Sequence, residues 1–205
     1  MVFTGAASVS AVAASQSIEV LNCVDLAGSN ATLSLVAKST SLTSLTLEAY
    51  YANTTNTFGT WGSPTVTSIG TQAVTISSTE STVSWTFAGP AAATTGIQIR
   101  ITSGALLATQ TLTIGNVQLE KGTTATSFDW RPYGTELQLC QRYYSAAVGL
   151  SVNANTYTAL QWIVPMRATP SCTATLGTIS PQSSTGGYLY HTVTTSFNYT
   201  ASIEL

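Results

Sequence analysis

The stretch YYANTTNTFGTWGS, residues 50–63, sets Tyr50, Tyr51, Phe58 and Trp61 among Asn and Thr. Rings like these stack on the flat apolar faces of sugars, and neighbouring amides and hydroxyls take the sugar's hydroxyl groups. The stretch reads as a loop between two strands, where function tends to sit. The competing reading is that Tyr51 and Trp61 cover the edge of a β-sandwich. Tyr157, Trp162, Tyr188, Tyr190, His191 and Tyr199 make a second aromatic set later in the sequence. It would serve as a core, as a binding surface, or as both.

Catalytic chemistry has less to work with. Glycan hydrolysis needs two carboxylates set across a cleft. The eight acids lie mostly at strand ends or turns and form no DxE or ExxE constellation. His191 is the one histidine, and it lies in YLYHTV, which reads as a strand. A triad would need it to meet an activated nucleophile and an orienting acid. Cys23, Cys140 and Cys172 show no CxxC and no Cys/His pair at metal spacing, so no metal site is expected. They read as buried free thiols acting as small hydrophobes. The expectation is a protein that is not an enzyme.

The bulk composition narrows the partners. Charged residues make up 7% of the chain and the net charge is −2. With no basic patch, nucleic-acid binding is not expected. No apolar run approaches the roughly 18 residues that span a bilayer. The opening MVFTGAASVSAVAASQS lacks a basic region and does not read as a signal peptide. Ser and Thr supply roughly three residues in ten, a bias toward strands, because the branched Cβ of Thr packs on a pleated surface. A surface this poor in charge does little to blunt sheet edges or repel neighbours, which suits a chain within an assembly.

The elements that must carry these residues follow a period of two. Strands are predicted at 15–22, 31–39, 44–52, 65–76, 81–88, 96–103 and 110–119, each bounded by turn residues. Leu33, Leu35 and Ala37 share one face, as do Leu45, Leu47 and Ala49. Such short, evenly spaced strands predict an all-β chain with a jelly-roll β-sandwich over 1–120. Residues 121–136 break the pattern with Gly122, Pro132 and Gly134 and read as a linker. Residues 137–205 read as a small C-terminal β domain, with a strand at 137–148 and others at 157–176 and 187–205. No helix of useful length competes. A core of about seventy residues is marginal alone, and self-association would relieve it.

The segment IGNVQLEKGTTATSFDWRPYGTELQLCQRYY, residues 114–144, resembles one common in bacteriophage tail-fibre and virion structural proteins. There a carbohydrate-binding-module-like jelly roll is followed by a small C-terminal domain. QSIEVLNCVDLAGSNATLSLVAKSTSLTSLTLEAYYAN (16–53) is similar to the first part of that jelly roll, and FNYTASIEL (197–205) to that family's chain end. Longer relatives carry more sequence before the SIE.LN strand, so the resemblance implies a short stand-alone fibre or a piece of a longer one. It further implies a virion protein made in the host bacterial cytoplasm, a homotrimer, and contacts with other virion proteins and a bacterial surface glycan. Its function would be host attachment by glycan binding at Tyr50, Tyr51, Phe58, Trp61, Trp162, Tyr188, Tyr190 and His191. The alternative is a purely structural role in capsid decoration, collar or fibre shaft. Modules of this kind sometimes hold a structural Ca²⁺. Here it would sit at Asp25 or the loop carbonyls of DLAGSN, a loop that is not Asp-rich.

Within 114–144 the dense run around Trp130 reads as a joint. Phe128 and Trp130 would plug the base of the jelly roll. Arg131 and Pro132 would set an extended turn, because proline restricts its own φ and the residue before it. Arg142, between buried aromatics, would make a cation–π contact or pair with Glu136.

Overall fold

The computed structural model describes residues 1–175, 177–181, 183–191 and 195–203, leaving aside the side chains at 150–152, 181, 191 and 195. The chain forms two compact units, Met1–Asp129 and a second beginning at Trp130.

The first unit holds β1 (Val2–Thr4), β2 (Val12–Ile18), β3 (Asn30–Ser39), β4 (Ser44–Ala52), β5 (Gly59–Thr60), β6 (Ser63–Pro64), β7 (Val66–Thr75), β8 (Ser81–Ala88), β9 (Ile97–Ser103) and β10 (Thr111–Lys121). Two antiparallel sheets, in the orders β1-β10-β3-β8 and β2-β9-β4-β7, form an all-β sandwich. The alternation of apolar residues drives this arrangement, since successive side chains of a strand point to opposite faces. Leu33, Leu35 and Ala37 of β3 are buried with Leu112 and Ile114 of β10. Leu45, Leu47 and Ala49 of β4 and Ile97, Ile99 and Ile101 of β9 join them in the same core. The outward residues of β4 and β9 are therefore Thr46, Glu48, Tyr50, Gln98, Arg100 and Thr102.

The predicted strand at 15–22 is shifted. β2 starts at Val12 and stops at Ile18, and short 3₁₀ turns occupy Val20–Asn22 and Val24–Leu26. Residues 2–4, a run of three, and 12–18, with its Ala and Ser, supply the outer strands beside β10 and β9. Their edge positions ask for few large apolar groups, which is why their signal in the sequence is weak.

The segment after β10 is strapped onto the outside of the first sheet. The Thr126 amide donates to Glu120 Oε1 at 2.8 Å, its hydroxyl donates to Oε2 at 2.7 Å, and the Asp129 amide donates to Gln118 Oε1 at 2.8 Å. Beneath it, the Thr32 hydroxyl donates to the Gly122 carbonyl at 2.9 Å and the Thr86 hydroxyl to that of Thr123 at 3.2 Å. These donors hold the Glu120 carboxyl below its ordinary range, the Thr126 amide foremost.

The second unit holds α1 (Tyr133–Gln141), β11 (Tyr144–Val152), β12 (Thr156–Gln161), β13 (Ser171–Ala174), β14 (Thr178–Pro181), β15 (Gly186–His191) and β16 (Thr195–Ser202). Its sheets, β11-β16-β13 and β12-β15-β14, enclose Leu160, Trp162, Met166, Leu189, Phe197, Tyr199 and Ala201. The strand expected over 137–148 is replaced by α1 up to Gln141 and by β11 from Tyr144. Leu137 and Leu139, two apart, mimic a strand. Yet Pro132 at the extended N-cap frees no amide for a ladder, and Glu136 in the first turn suits the positive helix end.

Candidate functional site

Residues 53–64 place one aromatic ring outside and lock another inside. Phe58 is 1% exposed and closes over Gly96, where a Cβ would come within 2.9 Å of its ring. Gly96, at φ +113°, is a position that only glycine adopts freely. The Asn56 amide donates to the Thr95 carbonyl at 2.8 Å, and Asn56 Oδ1 accepts from the Val20 amide at 2.9 Å. The Thr65 amide donates to the Phe58 carbonyl at 3.0 Å, and the Thr67 hydroxyl to Asn53 Oδ1 at 2.7 Å. From this base the β5–β6 hairpin projects, with Trp61 at its turn. Gly59, at φ +73°, makes the hairpin possible, because a Cβ there would lie 2.4 Å from the Ser63 carbonyl oxygen.

Trp61 remains 57% exposed, yet it is not loose. The Arg100 guanidinium lies 4.9 Å from its ring centroid and 4.5 Å from that of Tyr50. The register brings these groups together: Tyr50 sits opposite Gln98, Glu48 opposite Arg100, and Ser17 of β2 opposite Gln98. Arg100 Nε donates to Gln98 Oε1 at 2.8 Å, and Gln98 Nε2 donates to Ser17 Oγ at 3.0 Å. The Tyr50 hydroxyl donates to Glu48 Oε2 at 2.9 Å. Burial pushes the Tyr50 phenol above its ordinary value, and the bond to Glu48 adds to that against the pull of Arg100. The result is a ring–cation–ring stack on the outer face of the second sheet, flanked by hydrogen-bonding amide, carboxylate and hydroxyl groups.

Of the four aromatic residues expected here, the structure brings Tyr50 and Trp61 to this face. Phe58 is core, which removes it from any binding surface. Tyr51 packs half-buried against the sandwich interior. Gln98 and Arg100 escaped the sequence reading. The signal was present in GIQIRITS, where they alternate with three isoleucines and so must face outward.

In the second unit Tyr157, Tyr188 and Tyr190 lie on the outer face of β12-β15-β14. Tyr157 is 75% exposed and its ring lies 5.1 Å from that of Tyr190, its cross-strand partner. Trp162 is not part of this face. It is 6% exposed, lies 5.8 Å from the Tyr199 ring and donates from Nε1 to the Ser183 carbonyl at 3.3 Å. His191 closes β15, and its side chain lies outside the described residues.

The residues expected at a joint are placed differently from the sequence reading. Phe128 is half-buried, and Trp130 is 77% exposed. Pro132 has an extended backbone, at φ −58° and ψ 138°. Glu136 pairs with Arg131 at 3.3 Å rather than with Arg142. Arg142 caps α1 and its carbonyl accepts from the Arg167 amide at 3.0 Å. Cys23 is buried, but Cys140 is exposed on α1, against the expectation of three buried thiols.

Asp25 is exposed, and the carbonyls of Cys23, Val24, Leu26 and Ser29 already accept backbone amides. Among the described residues no group of three or more His, Cys, Asp or Glu side chains could hold a metal. Also among the described residues, no helix is long and apolar enough to cross a membrane.

No family model matches the sequence, and no curated protein does. A solved structure described as "CBM4 structure and function", a carbohydrate-binding module, is similar at a TM-score of 0.38 and 16% identity, over 55% of this chain. The chain spans 61% of that structure's length.

Proposed function

We propose that this chain is a non-catalytic glycan-binding subunit of a bacteriophage virion, fibre-like in character and acting in host attachment. The observation that carries the glycan reading is the Trp61 ring, held out on a pinned hairpin and stacked on a buried Arg100 beside Tyr50. An exposed ring of fixed orientation offers a sugar a platform at little entropic cost, and Gln98, Glu48 and the Tyr50 hydroxyl lie beside it for hydroxyl recognition. Glu48 is the carboxylate that the stack itself contains, whereas hydrolysis would need a pair. The virion setting and location rest on the resemblance of residues 114–144.

Assembly as a homotrimer fits α1. A nine-residue helix is marginal alone, none of its residues is buried, and Leu137, Leu139 and Tyr133 are exposed on it. Covering that surface in a trimer would raise weak sugar contacts to useful avidity. The same exposed helix favours a second reading, a structural virion component whose α1 docks on another virion protein.

The test is a glycan array probed with the purified chain, followed by titration calorimetry on the hits. Trp61→Ala should weaken binding at least tenfold while leaving the thermal midpoint within a degree or two. If no glycan binds at millimolar concentrations, the structural reading replaces the adhesive one.

A further inference from the structure

Arg100 is an unusual residue to bury in this chain. It is 9% exposed, in a protein with six basic residues in all. Buried arginines are almost always paired with an acid, because an ion removed from water loses several kcal/mol of hydration. Lys38 pairs with Glu80 at 3.2 Å and Arg131 with Glu136 at 3.3 Å. Arg100 pairs with no carboxylate among the described residues, although Glu48 is its direct cross-strand neighbour. The Glu48 carboxylate is turned to the Tyr50 hydroxyl instead.

The local arrangement orients the guanidinium without neutralising it. The Tyr50 and Trp61 rings lie against it, and Gln98 takes the Nε hydrogen. The guanidinium also donates a hydrogen bond to the Tyr50 oxygen, and its remaining Nη hydrogens face no carboxylate among the described residues. Among the described residues neither Nη atom of Arg100 is both buried and without a partner. A planar donor pair fixed in direction by two rings and an amide matches a carboxylate, which accepts two parallel N–H bonds.

We propose that the Tyr50–Arg100–Trp61 site binds a carboxylate-bearing sugar, a uronate or a nonulosonate, with the carboxylate on Nη1 and Nη2 of Arg100 and the sugar ring on Trp61. The inference rests on the glycan-binding reading above and names its ligand class. Glu48, opposite Arg100 in the register, weakens long-range attraction of an anion, so discrimination comes from the bidentate contact. Neutral sugars would still meet the ring but would leave the guanidinium without its acceptor.

The experiment compares matched ligands on the full chain. Oligosaccharides containing glucuronate, galacturonate or N-acetylneuraminate are titrated beside the same oligosaccharides after reduction of the carboxyl to the alcohol. At least one acidic member should bind ten- to a hundredfold more tightly than its reduced form. In Arg100→Gln that ratio should fall to about one. Arg100→Lys, which keeps the charge but not the fork, should retain only part of it. The wild-type comparison needs no variant, so misfolding of Arg100→Gln would not rescue the idea. Equal binding of acidic and reduced forms overturns the acidic class while leaving a neutral-glycan site in place. An unchanged ratio in a folded Arg100→Gln protein overturns the role of Arg100. Binding of no oligosaccharide at all overturns both readings together.

Discussion

Two neighbouring aromatic residues with similar sequence settings have opposite jobs. Phe58 fills the space above Gly96, and Trp61 stands in solvent three residues later. Phe58→Ala should therefore lower stability by about 3–5 kcal/mol, read from the denaturant midpoint, and should release the hairpin with it. Trp162 behaves as Phe58 does: Trp162→Ala should unfold the second unit rather than alter a binding surface. The tyrosines add a pH signature. Burial, first among the causes, raises the phenol values of Tyr50, Tyr143 and Tyr199 above the ordinary 10.0. The folded protein then holds these protons when the unfolded chain has released them. Stability should be fully present below pH 10.0 and fall as pH rises through the folded values. An alkaline series of urea melts checks this, and Tyr50→Phe should reduce the loss. A midpoint that stays flat above pH 10 would refute the assignment.

At the scale of elements, a few contacts decide what moves. The strap over 122–129 hangs on Glu120, which accepts from Thr126 through both its oxygens. Glu120→Gln removes the charge that strengthens those bonds. Amide exchange at Thr126 should accelerate, with little effect on the amides of β3. Acid should act the same way. With a lowered folded value, the contribution of Glu120 is present above its ordinary 4.5 and is lost as pH falls through the folded value. Much of this scale was legible beforehand: β3, β4, β7, β8, β9 and β10 fall on the predicted runs within a few residues. The helix α1 was not, because spacing of two between Leu137 and Leu139 outweighed the helix-forming Glu136, Gln138 and Gln141. The strap was also hidden, since its hydrogen bonds run through side chains in a segment without periodicity.

For the whole molecule, assembly is the open physical question that α1 and the tyrosine face pose. Light scattering on the purified chain should give three times 21.3 kDa. Leu139→Glu, which places a charge on the exposed face of α1, should shift it to the mass of one chain without unfolding either unit. A monomeric wild type would move the structural reading ahead, with α1 awaiting a different virion protein. Trimerisation would also bring three Arg100 sites into one particle, and binding to a dense glycan surface should then exceed binding to one oligosaccharide by orders of magnitude.

The sequence alone determined that the chain is all-β, which faces of β3, β4 and β9 are apolar, and that the 50–63 loop carries rings. Alternation is a local property, written in neighbouring residues, and burial of the apolar set enforces it. Which rings meet which charge is not local. Tyr50 and Gln98 lie forty-eight positions apart and become neighbours only through the β4–β9 register. That register, with Phe58 anchoring the hairpin from below, brings Arg100 between Tyr50 and Trp61 and makes one platform of three separate segments.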